Sequence, residues 1–296
     1  MTLLPARFHI ELTNICLLKC PGCARTQFKE QFPTKWQNHS LTLAALRQFL
    51  NIPLRGVELE FCGNYGDPIY HPDFLNIMRW AKDSNAIITI TTNGSYKDAG
   101  FWQELGSVLD HRDTVIFSID GIAANNAVYR KNSNWESIVL ALETCQNFSF
   151  TRKWKFIPFN YNEASISEAQ SLAAMFNMEF LLMPTDRWDE KTESLRPVAF
   201  KGEREGIRNS PSIAPRCAAN SSHYISAEGY YMPCCYIGDH RFYYKTEFGK
   251  NRKEYSITKY SFLDIASRPT TVTFYKDIKV DPLQVCRYSC PSNLDT

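Results

Sequence analysis

From its first residues the chain alternates apolar and polar side chains in short runs. Residues 8–12 and 57–61 repeat with period two, the pattern of a strand with one buried face. Further strands are predicted at 86–92, 114–119, 153–157 and 179–183. Stretches with helical spacing fall between them at 43–50, 74–83, 98–109, 135–148 and 165–176. This strand–helix rhythm predicts a parallel sheet covered by helices. The six strands suit an incomplete barrel, since a closed eight-unit barrel needs about 250 residues. Phe8, Ile10, Leu12, Val57, Leu59 and Phe61 are expected to pack under the helices, so His9, Glu11, Thr13, Glu58 and Glu60 point into the barrel. A closed barrel tolerates such buried charge poorly, whereas an open one holding a polar ligand accommodates it. The alternative is that the faces are reversed, or that the acids form ordinary salt bridges.

After residue 184 the periodicity fades. Residues 185–212 are charged and read as a linker or an ordered crossover. Residues 224–226 and 230–233 predict a hairpin, and 262–266 and 273–279 short helices. The expected organisation is an α/β partial (β/α)6 barrel over residues 1–200, followed by a small hairpin-plus-helix unit over 201–296.

Composition changes little in this picture. Of 296 residues, 44% are hydrophobic and 22% charged, with a formal net charge of +2, so nothing global points to nucleic acid or an acidic membrane surface. Residues 1–5 are too short and weakly apolar for an export signal. No later stretch approaches the ~20 apolar residues of a membrane span. A cytoplasmic protein is expected, and there its ten cysteines imply metal binding or catalysis rather than disulfides. Cys16, Cys20 and Cys23 lie near the start, and Cys217, Cys234, Cys235, Cys286 and Cys290 near the end. Cys62 and Cys145 stand alone and are expected in the core.

Cys16, Cys20 and Cys23 form a Cys-x3-Cys-x2-Cys loop directly after the first predicted strand. Three thiolates crowded into one loop suit three irons of a [4Fe–4S] cube, leaving the fourth iron open. The alternative is zinc, which usually takes paired Cys-x2-Cys ligands. In spacing and strand context the loop resembles that of the radical S-adenosylmethionine (SAM) superfamily, whose TIM-like partial barrel carries it after strand one. The resemblance implies that SAM binds the open iron and is reductively cleaved to methionine and a 5′-deoxyadenosyl radical. Many members have an aromatic residue before the third cysteine; here it is Gly22, so any packing on the adenine comes from elsewhere.

Further matches follow the family order. Residues 63–68 resemble its Gly-Gly-Glu-Pro motif through Gly66, Asp67 and Pro68, with Asp for Glu and Tyr65 in place of the first glycine. Thr92-Asn93-Gly94 matches its Thr-Asn-Gly turn. Ser118 and Asp120 fall where relatives contact SAM, and Arg130 matches an arginine aimed at the SAM carboxylate; a surface helix arginine is the alternative. Asn160 and Asn162 are further candidates. The C-terminal Cys217, Gly229 and Cys234 spacing, with Cys286 and Cys290, resembles the SPASM/twitch extension. Five cysteines suit the one-cluster twitch form, and Cys217, Cys234, Cys286 and Cys290 are expected to close a second [4Fe–4S] cluster. Cys235 is the spare, able to replace Cys234, and zinc is the alternative metal.

Residues 236–260 interleave aromatics with Arg241, Lys245, Lys250, Arg252 and Lys253, a pattern that suits peptide or single-stranded nucleic acid. Asp239, Glu247 and Glu254 dilute the charge, so a solvated insertion is expected and nucleic acid is not. The resemblance implies hydrogen abstraction from a peptide or small molecule, followed by oxidation or cross-linking, with a flavodoxin or ferredoxin as reductant. Two alternatives stand beside it. One is an epimerase returning hydrogen from Cys235, Cys62 or a tyrosine. The other is an iron–sulfur electron-transfer or binding protein without SAM chemistry.

Overall fold

The computed structural model describes residues 5–185, 188–200, 212–219 and 221–292. Six strands, β1 (Arg7–Ile10), β2 (Glu58–Phe61), β3 (Ile87–Thr92), β4 (Thr114–Ser118), β5 (Thr151–Phe156) and β6 (Glu179–Leu182), pair in sequence order and in parallel. Helices Leu43–Phe49, Phe74–Asp83, Ala99–Val108, Trp135–Cys145 and Ile166–Met175 lie between them or before them, as the periodicity predicts. Several have local start signals: Thr42, Asp98 and Asn134 each accept a backbone N–H from the first turn. The core lies between sheet and helices, where Phe8, Ile10, Leu59, Phe61, Ile88 and Ile90 are wholly buried. The intervening side chains are half-buried on the other face, so the predicted orientation holds and is not reversed. The salt bridges of the alternative reading are nonetheless present on the inner face. Arg7 pairs with Glu58 at 2.7 Å and with Glu60 at 3.4 Å.

The sheet does not stop at β1. Strand β7 (Ser222–Ile225) pairs with β1 in parallel, aligning Phe8 with His223 and Ile10 with Ile225. Strand β8 (Tyr231–Met232) then turns back antiparallel, making a single eight-stranded sheet. Gly229 turns the hairpin at φ +84°, a conformation glycine adopts without strain. Helices Phe262–Ala266 and Pro269–Asp277 follow, the second starting earlier than expected because Pro269 suits a first helical turn. Phe262 sits edge-on to Phe8 at 5.0 Å and to Phe49 at 6.0 Å, joining this region to the main core.

Several short helices escaped the periodicity, three of them beside the cysteines or Arg130. Helix Ala24–Gln31 follows the cysteine loop, helix Gln284–Ser289 carries Cys286, and helix Asn126–Tyr129 precedes Arg130. Residues 236–260 are not a solvated insertion: Ile237, Tyr243, Phe248, Tyr255 and Ile257 are buried, because their aromatics pack into the core rather than face water. Of the expected crossover at 185–212, Asp189 and Lys191 lie against helix Ala24–Gln31, with Asp189 accepting from Gln27 at 2.5 Å, whereas Ser194, Val198 and Ala199 bond to Asn160 and Glu163 after β5. Residues 186–187 and 201–211 lie outside the described residues, as does the expected domain boundary.

Candidate active site

The cysteine loop leaves the C-terminal end of β1, and the ends of β2, β3 and β4 close around it. Asp67 N–H donates to Ile15 O at 3.0 Å and Lys19 N–H to Lys131 O at 2.9 Å. Asn132 Nδ2 donates to Leu17 O at 2.8 Å. Arg25, buried on the first helix, donates from Nε to Tyr65 O at 3.0 Å and from its other end to Leu18 O. It thereby ties the cysteine loop to the loop after β2. Nothing in the sequence marks this arginine, since its partners are backbone carbonyls, one of them 40 residues away.

Beneath these loops sits Glu11, also buried. Its carboxylate accepts the N–H groups of Tyr65 at 2.6 Å and Gly66 at 3.1 Å, and the Tyr224 hydroxyl at 2.8 Å. The inward position was legible; the clamp it forms between β1, the β2 loop and β7 was not. Gly66 is required by close approach, because a Cβ there would fall 1.8 Å from Thr13 O. Asp67 accepts from Thr92 Oγ1 at 2.9 Å, Ile69 N–H at 3.3 Å, and the backbone N–H and side-chain amide of Asn93 at 2.7 and 2.5 Å. Burial pushes its pKa up while these donors pull it down. Asn93 in turn reaches Cys16, with Nδ2 3.7 Å from Sγ.

At the end of β4, Ser118 and Asp120 are buried. Asp120 bonds Arg130 Nε at 2.7 Å and Ile157 N–H at 2.8 Å. Burial works against the Arg130 charge, but Asp120 and the nearby Cys20 hold it protonated, so Arg130 is not a surface arginine. Asn162 is turned onto Asp120 O at 2.8 Å, and Asn160 onto Ser194 O at 2.7 Å. Both brace loops within the protein. A Cβ on Gly22 would lie 2.8 Å from the Tyr129 hydroxyl. Tyr129 packs on Phe159 at 4.4 Å, and Phe159 stacks on Tyr161 at 5.5 Å. The space denied to an aromatic at position 22 is therefore adjoined by an aromatic row from the β4 and β5 ends.

The donor chemistry fits an iron–sulfur cluster. All ten cysteines are free thiols. Burial pushes Cys16 up to about 12 and Cys20 up to about 11, so each thiol needs a cation, as a metal cluster supplies, to become a thiolate. Among the described residues no three or more His, Cys, Asp or Glu side chains are placed to hold one metal ion; a cube takes one thiolate per iron and needs no such convergence. At the other end of the chain, Cys217 lies within Coulombic reach of Cys234, Cys286 and Cys290. Helix Gln284–Ser289 returns the chain there, with Ala214 N–H donating to Cys290 O at 2.9 Å. Cys234 and Cys235 share a hydrogen bond that favours ionisation of Cys234 over Cys235. Cys145 is core, as expected, but Cys62 is half-buried, facing Cys235 electrostatically, with its carbonyl 2.8 Å from His9 Nε2.

No protein-family model matches the chain. SuiB of Streptococcus suis bound to S-adenosylmethionine superimposes with a TM-score of 0.67, covering 96% of this chain and 72% of SuiB at 12% identity. For anSMEcpe with bound AdoMet the TM-score is 0.61, covering 97% and 89% at 14% identity. These are radical SAM enzymes, and the likeness spans barrel and C-terminal region alike. The chain has the radical SAM fold. BtrN with AdoMet and 2-DOIA gives a TM-score of 0.54 at 13% identity, covering 97% of this chain and 93% of BtrN. Over 121 residues, 40% of its length, the chain is 26% identical to the tungsten-containing aldehyde ferredoxin oxidoreductase cofactor-modifying protein of Pyrococcus furiosus. That match spans about a third, 32%, of the relative. Within the radical SAM fold, the strand ends laced around Cys16–Cys23 occupy the side of the barrel where active sites are built. No described helix is long and apolar enough to cross a membrane.

Proposed function

We infer that this chain is a radical SAM enzyme that abstracts hydrogen from a peptide. Cys16, Cys20 and Cys23 would hold a [4Fe–4S] cluster, with SAM on its open iron. Cys217, Cys234, Cys286 and Cys290 would hold a second cluster in a twitch-type unit formed by residues 201–296. Cluster and SAM, when bound, would supply a 5′-deoxyadenosyl radical. The protein's part is to position and shield. Glu11 and Asp67 fix the loop carrying Gly66, Asn93 donates toward Cys16, and Asp120 orients Arg130, whose fixed cationic fork suits the SAM carboxylate. Buried Ser118 lines the same strand end. The observation that carries this assignment is the lacing of three strand ends onto one three-cysteine loop. A peptide is favoured because SuiB bound to its precursor peptide SuiA and anSMEcpe with the Cp18Cys peptide share the fold, with TM-scores of 0.65 and 0.61. Cys234, not Cys235, lies within electrostatic reach of both Cys217 and Cys286, which supports Cys234 as the ligand. Oxidation or cross-linking would follow, the second cluster accepting an electron and a ferredoxin or flavodoxin supplying the first.

Asn64, two residues after Cys62, donates to Cys235 O at 2.7 Å, and this approach of the two cysteine-bearing loops favours a second outcome. One of the two thiols returns a hydrogen atom to the substrate radical, and the reductant restores the thiyl with an electron and a proton. Anaerobic reconstitution tests the primary assignment. About eight irons per chain are expected, falling to about four in Cys286→Ala and, separately, in a Cys16/Cys20/Cys23→Ala triple variant. Reduced protein should release 5′-deoxyadenosine from SAM. Stoichiometric zinc, or no nucleoside product, would overturn it. Deuterium from solvent appearing in product, and lost in Cys235→Ala or Cys62→Ala, would establish the epimerase outcome instead.

A further inference from the structure

A cavity of about 650 Å³ opens beside the cysteine loop, and none of its walls is a cysteine or a residue assigned above to SAM. Four separated stretches build it: the end of β1 with Glu11 and Asn14, helix Ala24–Gln31 with the loop after it, the β2 loop, and the β7–β8 hairpin with the segment 238–252. Their rings form a continuous surface. Phe28 lies 5.3 Å from Phe32 and 5.8 Å from Trp36, and Trp36 lies 6.1 Å from Tyr65. Tyr230 also lines the cavity. A space of this size, where aromatic rings alternate with polar and charged side chains, has the character of a ligand site rather than a packing fault.

The polar groups define the ligand's charge. Lys35 Nζ stands 5.4 Å over the Phe32 ring and the Arg252 guanidinium 5.7 Å over the Tyr230 ring. Among the described residues neither forms an ion pair with a carboxylate; Arg252 hydrogen-bonds the Tyr244 side chain, and both cations line the cavity. Of the two carboxylates in the wall, Glu11 is already taken by three donors, leaving Glu228 against two cations. A cation resting on an aromatic face for want of an anion is available to a ligand carboxylate, which binds a guanidinium more strongly than a ring does. The ring-lined interior between these cations suits a flat apolar group.

We propose that this cavity anchors an aromatic side chain of an acidic peptide segment, with neighbouring carboxylates on Lys35 and Arg252. The proposal rests on the peptide substrate inferred above and adds the anchoring site and the class of sequence it takes. Tyr65 links anchor and chemistry. Its ring forms one wall and its hydroxyl accepts the His240 N–H at 2.7 Å, while its own N–H is held by Glu11 beside Gly66. The residue standing where the family motif has glycine thus belongs to both places.

Calorimetric titration of the full-length reconstituted protein with four probes decides this. They are blocked Asp-Phe-Asp, Asp-Ala-Asp and Lys-Phe-Lys peptides and a short oligothymidylate. Asp-Phe-Asp is expected to bind at least about tenfold more tightly than the others, about 1.4 kcal/mol. Arg252→Glu and Lys35→Glu, both exposed and so expected to fold as judged by thermal melting, should each weaken it by about tenfold. Trp36→Ala should do so without removing charge. Equal binding of the three peptides, tightest binding of the oligonucleotide, or unchanged affinity in both charge-reversed variants overturns the proposal. Formation of 5′-deoxyadenosine is followed separately. Its absence with peptide selectivity intact would fault the SAM assignment and leave the pocket standing.

Discussion

Asp67 accepts four hydrogen bonds from within the protein and Glu11 three, so their burial is compensated. This gives Asp67 a structural consequence separable from any contact with SAM. In Asp67→Asn an amide replaces one acceptor oxygen and faces N–H donors from Asn93, costing about 1–3 kcal/mol. A lower melting temperature and weaker SAM binding by calorimetry are expected together. Weaker binding with an unchanged melting temperature would mean that Asp67 acts on SAM alone. His223 makes a different case. It is buried among Phe8, Tyr231 and Phe262 with Nε2 unpartnered, and burial lowers its pKa to about 4. The unfolded chain therefore takes up the proton first, near pH 6.5. Stability on this account is intact above that pH and is lost as the pH falls from about 6.5 to 4, by about 3 kcal/mol. Urea titrations across that window should show a shallower decline in His223→Phe than in the wild type.

At the scale of elements, loops rather than strands decide the site. Gly66→Ala forces a Cβ against the Thr13 carbonyl, and because both partners are backbone neither yields without moving the β1 or β2 end. A loss of about 1–3 kcal/mol and of most SAM cleavage is expected, read by melting and nucleoside release. Gly56→Ala, where the left-handed φ of +78° is strained but nothing lies within 4 Å, should cost stability and spare SAM cleavage. This contrast also explains what was legible beforehand. Period-two runs placed β1 and β2 within one or two residues, because one face of each is dry and the other polar. The Gly66-Asp67-Pro68 turn could be placed by its position after β2. Arg25, Tyr129 and the cavity behind Trp36 could not, since each depends on a partner 40 or more residues away, as Arg25 does on Tyr65, whose approach no local pattern encodes. Residues 236–260 misled for the same reason: their charges suggested solvent, but their aromatics had a core to enter.

For the whole molecule, the consequential feature is that β7 completes the sheet at β1, the strand that delivers the cysteine loop. A self-contained barrel would end at β1 with a covered or charged edge. Here that edge pairs with Ser222–Ile225, while Phe262 rests on Phe8 and Phe49. Burying one ring of that size stabilises by about 2–3 kcal/mol, and removing the region would also free an edge strand for pairing between chains. A fragment of residues 1–200 is therefore expected to associate or remain protease-sensitive, although it contains all six barrel strands and the three-cysteine loop. Size-exclusion chromatography and limited proteolysis check this, alongside the same fragment supplied with residues 201–296 as a separate chain. Rescue by the second chain would show that the two parts fold as one sheet. A monomeric 1–200 fragment with a sharp thermal transition would instead make the barrel an independent domain, with the C-terminal cysteines on an appendage.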